Sequence, residues 1–200
     1  AIRRTTHFKY DLTTKFLSDS YVFNGYKEAM VTGDKLIRYI KHNNTEEGLA
    51  EYQLEMKTGG QAITVNANSG AVSFTKDDTT VKRTTRFTYN GLNYLTDSYV
   101  FDKYVDTPAT GDTILRYTKH DGTEQGNALY QLEMQPNQTI TVTSGVVSFA
   151  KDDSAIRRTT HFKYDLTTKF LSDSYVFNGY KEAMVTGDKL IRYIKHNNTE

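Results

Sequence analysis

The amino-acid sequence predicts an all-β protein: tandem antiparallel β units of about 77 residues, each a small sandwich or open barrel, arranged as an array or fibre. Three observations lead there. A long stretch of chain occurs twice, letter for letter; apolar residues alternate with polar ones along short segments; and the intervening stretches carry turn residues in place of a helical pattern.

The repeat sets the organisation. Ala1 to Glu46 recurs unchanged as Ala155 to Glu200, 154 positions further on, with a diverged copy between them. In that copy Arg83-Thr84-Thr85 answers Arg4-Thr5-Thr6, and Asp97-Ser98-Tyr99-Val100-Phe101 answers Asp19-Ser20-Tyr21-Val22-Phe23. Thr110-Gly111-Asp112 answers Thr32-Gly33-Asp34, and Tyr130 to Met134 answers Tyr52 to Met56. The chain therefore reads as repeat A at 1–79, repeat B at 80–154 and a partial repeat A at 155–200, with the structural phase of the units left open. A perfect copy beside a diverged one implies recent duplication of an A–B pair, or design. A chain that begins without Met and stops inside a repeat reads as a window on a longer repetitive protein.

Within repeat A the strand candidates follow in order. Thr6-Phe8-Tyr10, Tyr21-Phe23 and Ile37-Tyr39 are the first three, with Ile37 (Leu115 in B) assigned to the core and Ile40 (Thr118 in B) to the solvent face. Tyr26 to Met30 aligns with Tyr104-Val105-Asp106-Thr107-Pro108, whose proline argues for a loop. From Glu51 to Lys57, Tyr52, Leu54 and Met56 fall on one face and the charged or amide residues on the other. Ile63 and Val65 run through Asn66 to Gly70 into Val72 and Phe74, a hairpin. Its twin keeps Ile140, Val142, Val147 and Phe149 around a turn two residues shorter, a change that a hairpin tip tolerates.

The expected core of repeat A is thus Phe8, Tyr10, Tyr21, Phe23, Ile37, Tyr39, Tyr52, Leu54, Met56, Ile63, Val65, Val72 and Phe74, with Tyr130, Leu132 and Met134 as counterparts in B. A unit this small, without a disulfide, buries little surface against its chain entropy, so its stability must be shared with neighbours. Residues 155–200 lack any equivalent of Glu47 to Thr79; alone, that fragment would expose its apolar face and an open sheet edge, to be covered by a neighbouring repeat or by strand addition from another chain.

Composition excludes several functions. Lys and Arg number 25 against 24 Asp and Glu, which removes the electrostatic case for a nucleic-acid or membrane-surface partner. No apolar run approaches the roughly 20 residues of a membrane span, and the absence of cysteine rules out thiol chemistry and Cys-ligated zinc. No phosphate loop, nucleophile elbow or framed carboxylate pair is present, so neither catalysis nor a cofactor is expected.

The candidate ligand residues are few. His7, His42, His120, His161 and His196 recur at two phases of the repeat, one of them Arg86 in B, and are assigned to the surface. Asp77, Asp78, Asp152 and Asp153 are the candidate calcium ligands; their flanking Lys76 and Lys151 favour a turn, and the same turn reading extends to Asp19, Asp97 and Asp173. Thr-Gly-Asp at 32–34, 110–112 and 186–188 reads as a turn before a strand. Asn43, Asn137 and Asn197 open glycan acceptor triplets. Fifteen tyrosines without tryptophan suit half-buried sheets, and also sugar or protein contact.

Near-identical β units without cysteine resemble the stalk regions of bacterial surface adhesins and fibres. The tract Tyr52-Gln53-Leu54, Ile63-Thr64-Val65 and Ser69-Gly70-Ala71-Val72 is similar to cadherin-like sandwich repeats. Thr84 to Thr96, together with Tyr10-Asp11, resembles the tyrosine-aspartate repeats of secreted toxin shells. The first resemblance implies an extracellular structural or adhesive stalk on a bacterial surface, whose partners are neighbouring repeats or copies of itself. A host glycan or protein held by exposed tyrosines is the second expectation, and a fragment of a toxin-type β-shell the third.

Overall fold

A computed structural model describes residues 3–197. It is all-β: sixteen strands, most in a large antiparallel sheet, with two small sheets and no closed barrel or helix among the described residues. Among the described residues, no helix is therefore long and apolar enough to cross a membrane. The chain divides into two compact bodies, Ala1–Phe87 with Phe101–Asp106, and Thr88–Val100 with Thr107–Glu200.

In the first body the sheet order is β1 (Arg4–Tyr10), β2 (Leu17–Asn24), β3 (Lys35–His42), β4 (Ala50–Met56), then β8 (Val81–Tyr89). The skipped strands are short. β5 (Gln61–Ala62) pairs β3, while β6 (Thr64–Val65) and β7 (Val72–Ser73) form a separate hairpin. The hairpin and its flanks lie over one sheet face. Val65, Val72, Phe74, Met30 and Tyr104 pack on a core of Tyr21, Phe23, Leu36, Tyr39, Tyr52, Leu54, Met56, Ile63 and Val81. The second layer is thus a hairpin and loops over a broad sheet. Gly60 anchors the return to β3: its φ is +70°, and a Cβ there would sit 2.7 Å from the Leu36 carbonyl oxygen.

The second body repeats the plan with β9 (Leu95–Phe101), β10 (Ile114–His120), β11 (Ala128–Met134), β14 (Ile156–Tyr164), β15 (Leu171–Asn178) and β16 (Leu190–Lys195). β12 (Thr141–Thr143) and β13 (Val146–Ser148) form its hairpin. The shortened tip turns on Ser144 and Gly145, both at positive φ, the geometry that a two-residue hairpin needs. The buried side chains include Tyr99, Ile114, Tyr117, Leu132, Met134, Ile140, Ile156 and Phe177.

Alternation along β4 is uninterrupted, and Tyr52, Leu54 and Met56 are all buried, as their spacing requires. Three expected core positions lie elsewhere. Phe8 is 57% exposed and Tyr10 also points to solvent. The reason is register: Thr5 pairs Phe23 and His7 pairs Tyr21, so the inward face of β1 carries Thr5 and His7, and Phe8 falls opposite Ser20 on the reverse. Phe87 and Phe162, at the same phase, are half-buried. Ile37 is displaced by a bulge. Phe23 pairs Leu36 and Val22 pairs Arg38, which makes Ile37 the extra residue and gives the core position to Leu36. Tyr26 to Met30 is a loop, as the proline in its twin indicated.

Replacing a fully buried residue of this sheet should cost far more than replacing its exposed aromatics. Leu54→Ala or Leu132→Ala is expected to lower unfolding free energy by about 2–5 kcal/mol. Phe8→Ala should stay within about 0.5 kcal/mol, both read from urea midpoints.

Candidate functional site: the repeat junction and its aromatic face

The boundary between repeats is not a structural boundary. β4 of repeat A pairs β8 of repeat B through Tyr52↔Arg86, Gln53↔Thr85, Leu54↔Thr84, Glu55↔Arg83 and Met56↔Val81, with a bulge before the last pair. β11 of repeat B pairs β14 of the third copy in the same way: Tyr130↔His161, Gln131↔Thr160, Leu132↔Thr159, Glu133↔Arg158 and Met134↔Ile156. One junction lies within each compact body. The two ladders match pair for pair.

Each junction has three parts. At its centre a leucine faces a threonine, and all four (Leu54, Thr84, Leu132, Thr159) are fully buried. A buried hydroxyl without partners is costly, so each threonine is fully engaged. Thr84 Oγ1 donates to the Lys103 carbonyl at 2.8 Å and accepts the Val105 amide at 3.0 Å. Thr159 does the same with Gly179 and Lys181, and Thr5 with Gly25 and Lys27. The hydroxyl thereby pins the loop that follows the next strand. On the hairpin face, Arg86 stacks over Tyr52 at 5.0 Å, and His161 lies 5.7 Å from Tyr130. Imidazole and guanidinium are alternatives there because either flat cationic or aromatic group covers the tyrosine. On the reverse face Glu55 meets Lys82 and Arg83, and Glu133 meets Arg157 and Arg158.

The acidic pairs complete the junction. Asp77 Oδ1 accepts the Thr79 and Thr80 amides and the Thr79 hydroxyl; Asp152 does likewise with Ser154 and Ala155. Asp78 Oδ1 accepts the Tyr104 amide at 3.0 Å, and Asp153 the Tyr180 amide at 2.7 Å. One aspartate of each pair builds the turn and the other ties it to the pinned loop. Among the described residues there is no group of three His, Asp or Glu side chains placed to hold a metal ion.

Beside each junction runs a row of rings. Tyr39 is centred 5.5 Å from Tyr21, 6.0 Å from Tyr52 and 5.0 Å from Phe74. Tyr117 stands 5.3, 6.1 and 5.1 Å from Tyr99, Tyr130 and Phe149. Lys76 and Lys151 lie over the Tyr39 and Tyr117 rings at 4.4 and 5.4 Å. The phenols donate to aspartates on the neighbouring strand: Tyr39 to Asp19 at 2.5 Å, Tyr117 to Asp97 at 2.6 Å, Tyr193 to Asp173 at 2.6 Å. These aspartates sit inside β2, β9 and β15, not in turns as the Ser/Thr-Asp-Ser pattern suggested; their work is to hold the phenol. Thr-Gly-Asp is a turn in each copy.

The sequence-selected residues have clear places. Tyr52, Leu54, Met56, Leu132 and Met134 lie in the junction strands, Tyr130 beside them half-buried. Ile63 is buried under the hairpin, while Val65, Val72 and Phe74 form the hairpin's half-buried underside. Asn198 and Thr199 of the third acceptor triplet lie outside the described residues; Asn43 accepts the Thr45 hydroxyl of its own triplet.

The histidines correct the surface assignment. His42 is buried, with Nδ1 2.7 Å from the Gly48 carbonyl and Nε2 2.9 Å from Ser20 Oγ. The carbonyl contact requires the proton on Nδ1. His120 makes the same pair of bonds to Gly126 and Ser98, and His161 is also buried, its Nε2 on the Lys181 carbonyl. Sequence reasoning passed over the Thr5/Thr84/Thr159 and Ser20/Ser98/Ser174 positions, and placed Tyr39 in the core without its bond to Asp19. The available signal was their survival in a diverged copy, which a surface residue does not require.

Electrostatics follow from this packing. Burial alone would raise the Asp19 carboxyl, but the Tyr39 and Ser18 hydroxyls and Lys41 together hold it below its ordinary value. Asp97 is lowered in the same balance by Tyr117, Thr96 and Lys119. Burial pushes the Tyr52 and Tyr99 phenols up to about 12, and Tyr39 and Tyr117 higher still, with their aspartates adding to the effect.

No protein-family model matches this chain, and no curated protein matches its sequence.

The carboxylates give a stability contribution that is complete above the ordinary value of about 3.9 and is lost as pH falls through the lower folded values. The phenols give one that is complete below about 10 and is lost as pH rises through the higher folded values. Tyr39→Phe should therefore cost about 1–3 kcal/mol at neutral pH and flatten the acid limb of a stability–pH curve. An unchanged acid limb would show that the phenol does not depress Asp19.

Proposed function

We propose that this chain is a structural or adhesive repeat protein of the extracellular or cell-surface kind, forming a stalk or fibre segment of a bacterial surface. The observation that carries the reading is the same strand register at two successive junctions. A ladder that joins A to B and B to A in one register lets repeats be added without inventing a new interface. Such a chain supplies length and stiffness, and its partners are neighbouring repeats or copies of itself. No catalytic role, cofactor or nucleic-acid partner is proposed.

The tyrosines support this reading over the glycan- or protein-binding module. Tyr21, Tyr39 and Tyr52 turn their rings toward one another and toward Phe74, and are buried. A sugar platform needs an exposed ring face at the same phase of every repeat. The toxin-shell reading shares the broad sheet and differs in having no repeat of this length.

The test is scaling. Proteins with one, two and three A–B pairs should show a radius of gyration, by small-angle X-ray scattering, that grows in proportion to repeat number. Growth as about the 0.38 power of chain length, the behaviour of a compact globule, would contradict a stalk.

A further inference from the structure

The charges of this chain balance overall but not locally. On the sheet face opposite the tyrosine row, a cleft of about 350 Å³ opens between β3, the loop after β4 and the start of β8, all interior to the sheet. Lys35, Arg38, Lys57 and Lys82 line it, against the single carboxylate of Glu55. That carboxylate is already engaged: Lys82 Nζ stands 3.0 Å from it and Arg83 3.8 Å. Arg38 lies opposite Glu55 in the β3–β4 register, yet neither Arg38 nor Lys35 makes an ion pair among the described residues. Lys57 Nζ donates to a neutral group, the Asp78 carbonyl, which positions the ammonium without cancelling its charge. Three positive charges thus remain uncompensated around one concavity, where the field of like charges concentrates. Repeat B keeps the central pairing and loses the excess. Arg116↔Glu133 and Glu133↔Arg158 recur, but Thr113 stands for Lys35, Gln135 for Lys57, and Asp102 for Asn24, another residue of the cleft. The sheet therefore forms without these lysines, and its folding does not account for them.

We propose that this cleft of repeat A binds a carbohydrate bearing sulfate or phosphate esters, and that repeat B does not. The half-buried Arg38 presents a planar fork that can meet a tetrahedral oxyanion with two parallel hydrogen bonds, while Lys35 and Lys57 add mobile point charges. Sugar hydroxyls find partners in the Asn24 amide, the Thr58 hydroxyl and the Glu55 carboxylate. Gly59, at a φ of +91° with open space where a Cβ would stand, lets a ligand come close to the backbone. The lining also selects against other polyanions. It contains no aromatic ring, so nucleic-acid bases would have nothing to stack on. Its apolar side chains are Ile37 and Met56, the latter buried, which offers little to the side chains of an acidic peptide. This inference rests on the adhesive reading and names its ligand class; it leaves the buried tyrosines out of the contact.

The test titrates the full 200-residue chain with sucrose octasulfate and with inositol hexakisphosphate, following the backbone amide signals of Thr58 to Gly60 by NMR. At least one should bind with saturation, and the tighter of the two identifies the preferred ester; sucrose and inorganic sulfate should bind far more weakly. The double variant Lys35→Thr with Lys57→Gln, which installs the residues of repeat B, should weaken binding about tenfold. A second double variant, Lys9→Thr with Lys15→Gln, removes the same charge from outside the cleft and should bind as the wild type does. Lys35 and Lys57 are exposed, so the first variant should keep the wild-type urea midpoint. Equal weakening in both double variants would reduce the effect to net charge and overturn the site, as would the absence of saturable binding. An oligothymidylate of equal charge that bound as tightly would overturn the ligand class. If scattering still grows in proportion to repeat number when these probes fail, the stalk survives and this site alone is lost.

Discussion

The structure depends on one constraint: the last long strand of each repeat must be paired, and its partner is the first strand of the next. A strand edge left open is a row of unsatisfied backbone groups. β8 closes the edge of β4, and β14 closes that of β11, in matching registers. The side chains then have defined tasks. A threonine that must be buried opposite a leucine needs both of its hydrogen bonds met, and the loop after the following strand meets them. The turn that delivers the chain to the junction is built by Asp77 or Asp152 and tied down by Asp78 or Asp153. Sequence repeat and structural unit are therefore out of phase, and the opening residues of repeat B belong to the same compact body as repeat A.

A broad sheet covered by a two-stranded hairpin offers little depth for aliphatic packing. Tyrosine suits it. The ring buries area and stacks on its cross-strand neighbours, while the hydroxyl reaches the sheet margin, where Asp19, Asp97 and Asp173 accept it. Lys76 and Lys151 cap the rows with a cation over the ring face. The Ser20–His42 and Ser98–His120 pairs satisfy polar groups beneath the β3–β4 and β10–β11 turns. Buried polar networks of this kind hold register when every member is satisfied.

The fold class was legible because period-two alternation survives wherever a strand runs without a bulge. Tyr52, Leu54 and Met56 are the clearest case, and their strand turns out to be the junction strand. Alternation failed where bulges intervene: Ile37 was placed inward, although the bulge opposite Val22 and Phe23 hands that place to Leu36. It failed again on β1, where Phe8 outranks Thr5 and His7 in hydrophobicity but sits on the other face. Register depends on pairing partners far along the chain, which a local pattern does not contain. The polar half of the junction was hidden for a related reason. Thr84, His42 and Asp19 are ordinary surface residue types, and only their bonds to distant loops and strands make them internal. Comparing the exact and diverged copies position by position carries that information, since Thr5, Asp19, Ser20, Tyr39 and His42 each persist.

The account stands on the junction ladder being as firm as the ladders inside a repeat. Native-state hydrogen exchange measures this directly, residue by residue. The paired amides of β4 with β8, and of β11 with β14, should exchange as slowly as those of β2 with β3. Exchange at both junctions that is orders of magnitude faster than within the repeats would mean that the repeats are separate domains merely placed side by side, and would contradict the account.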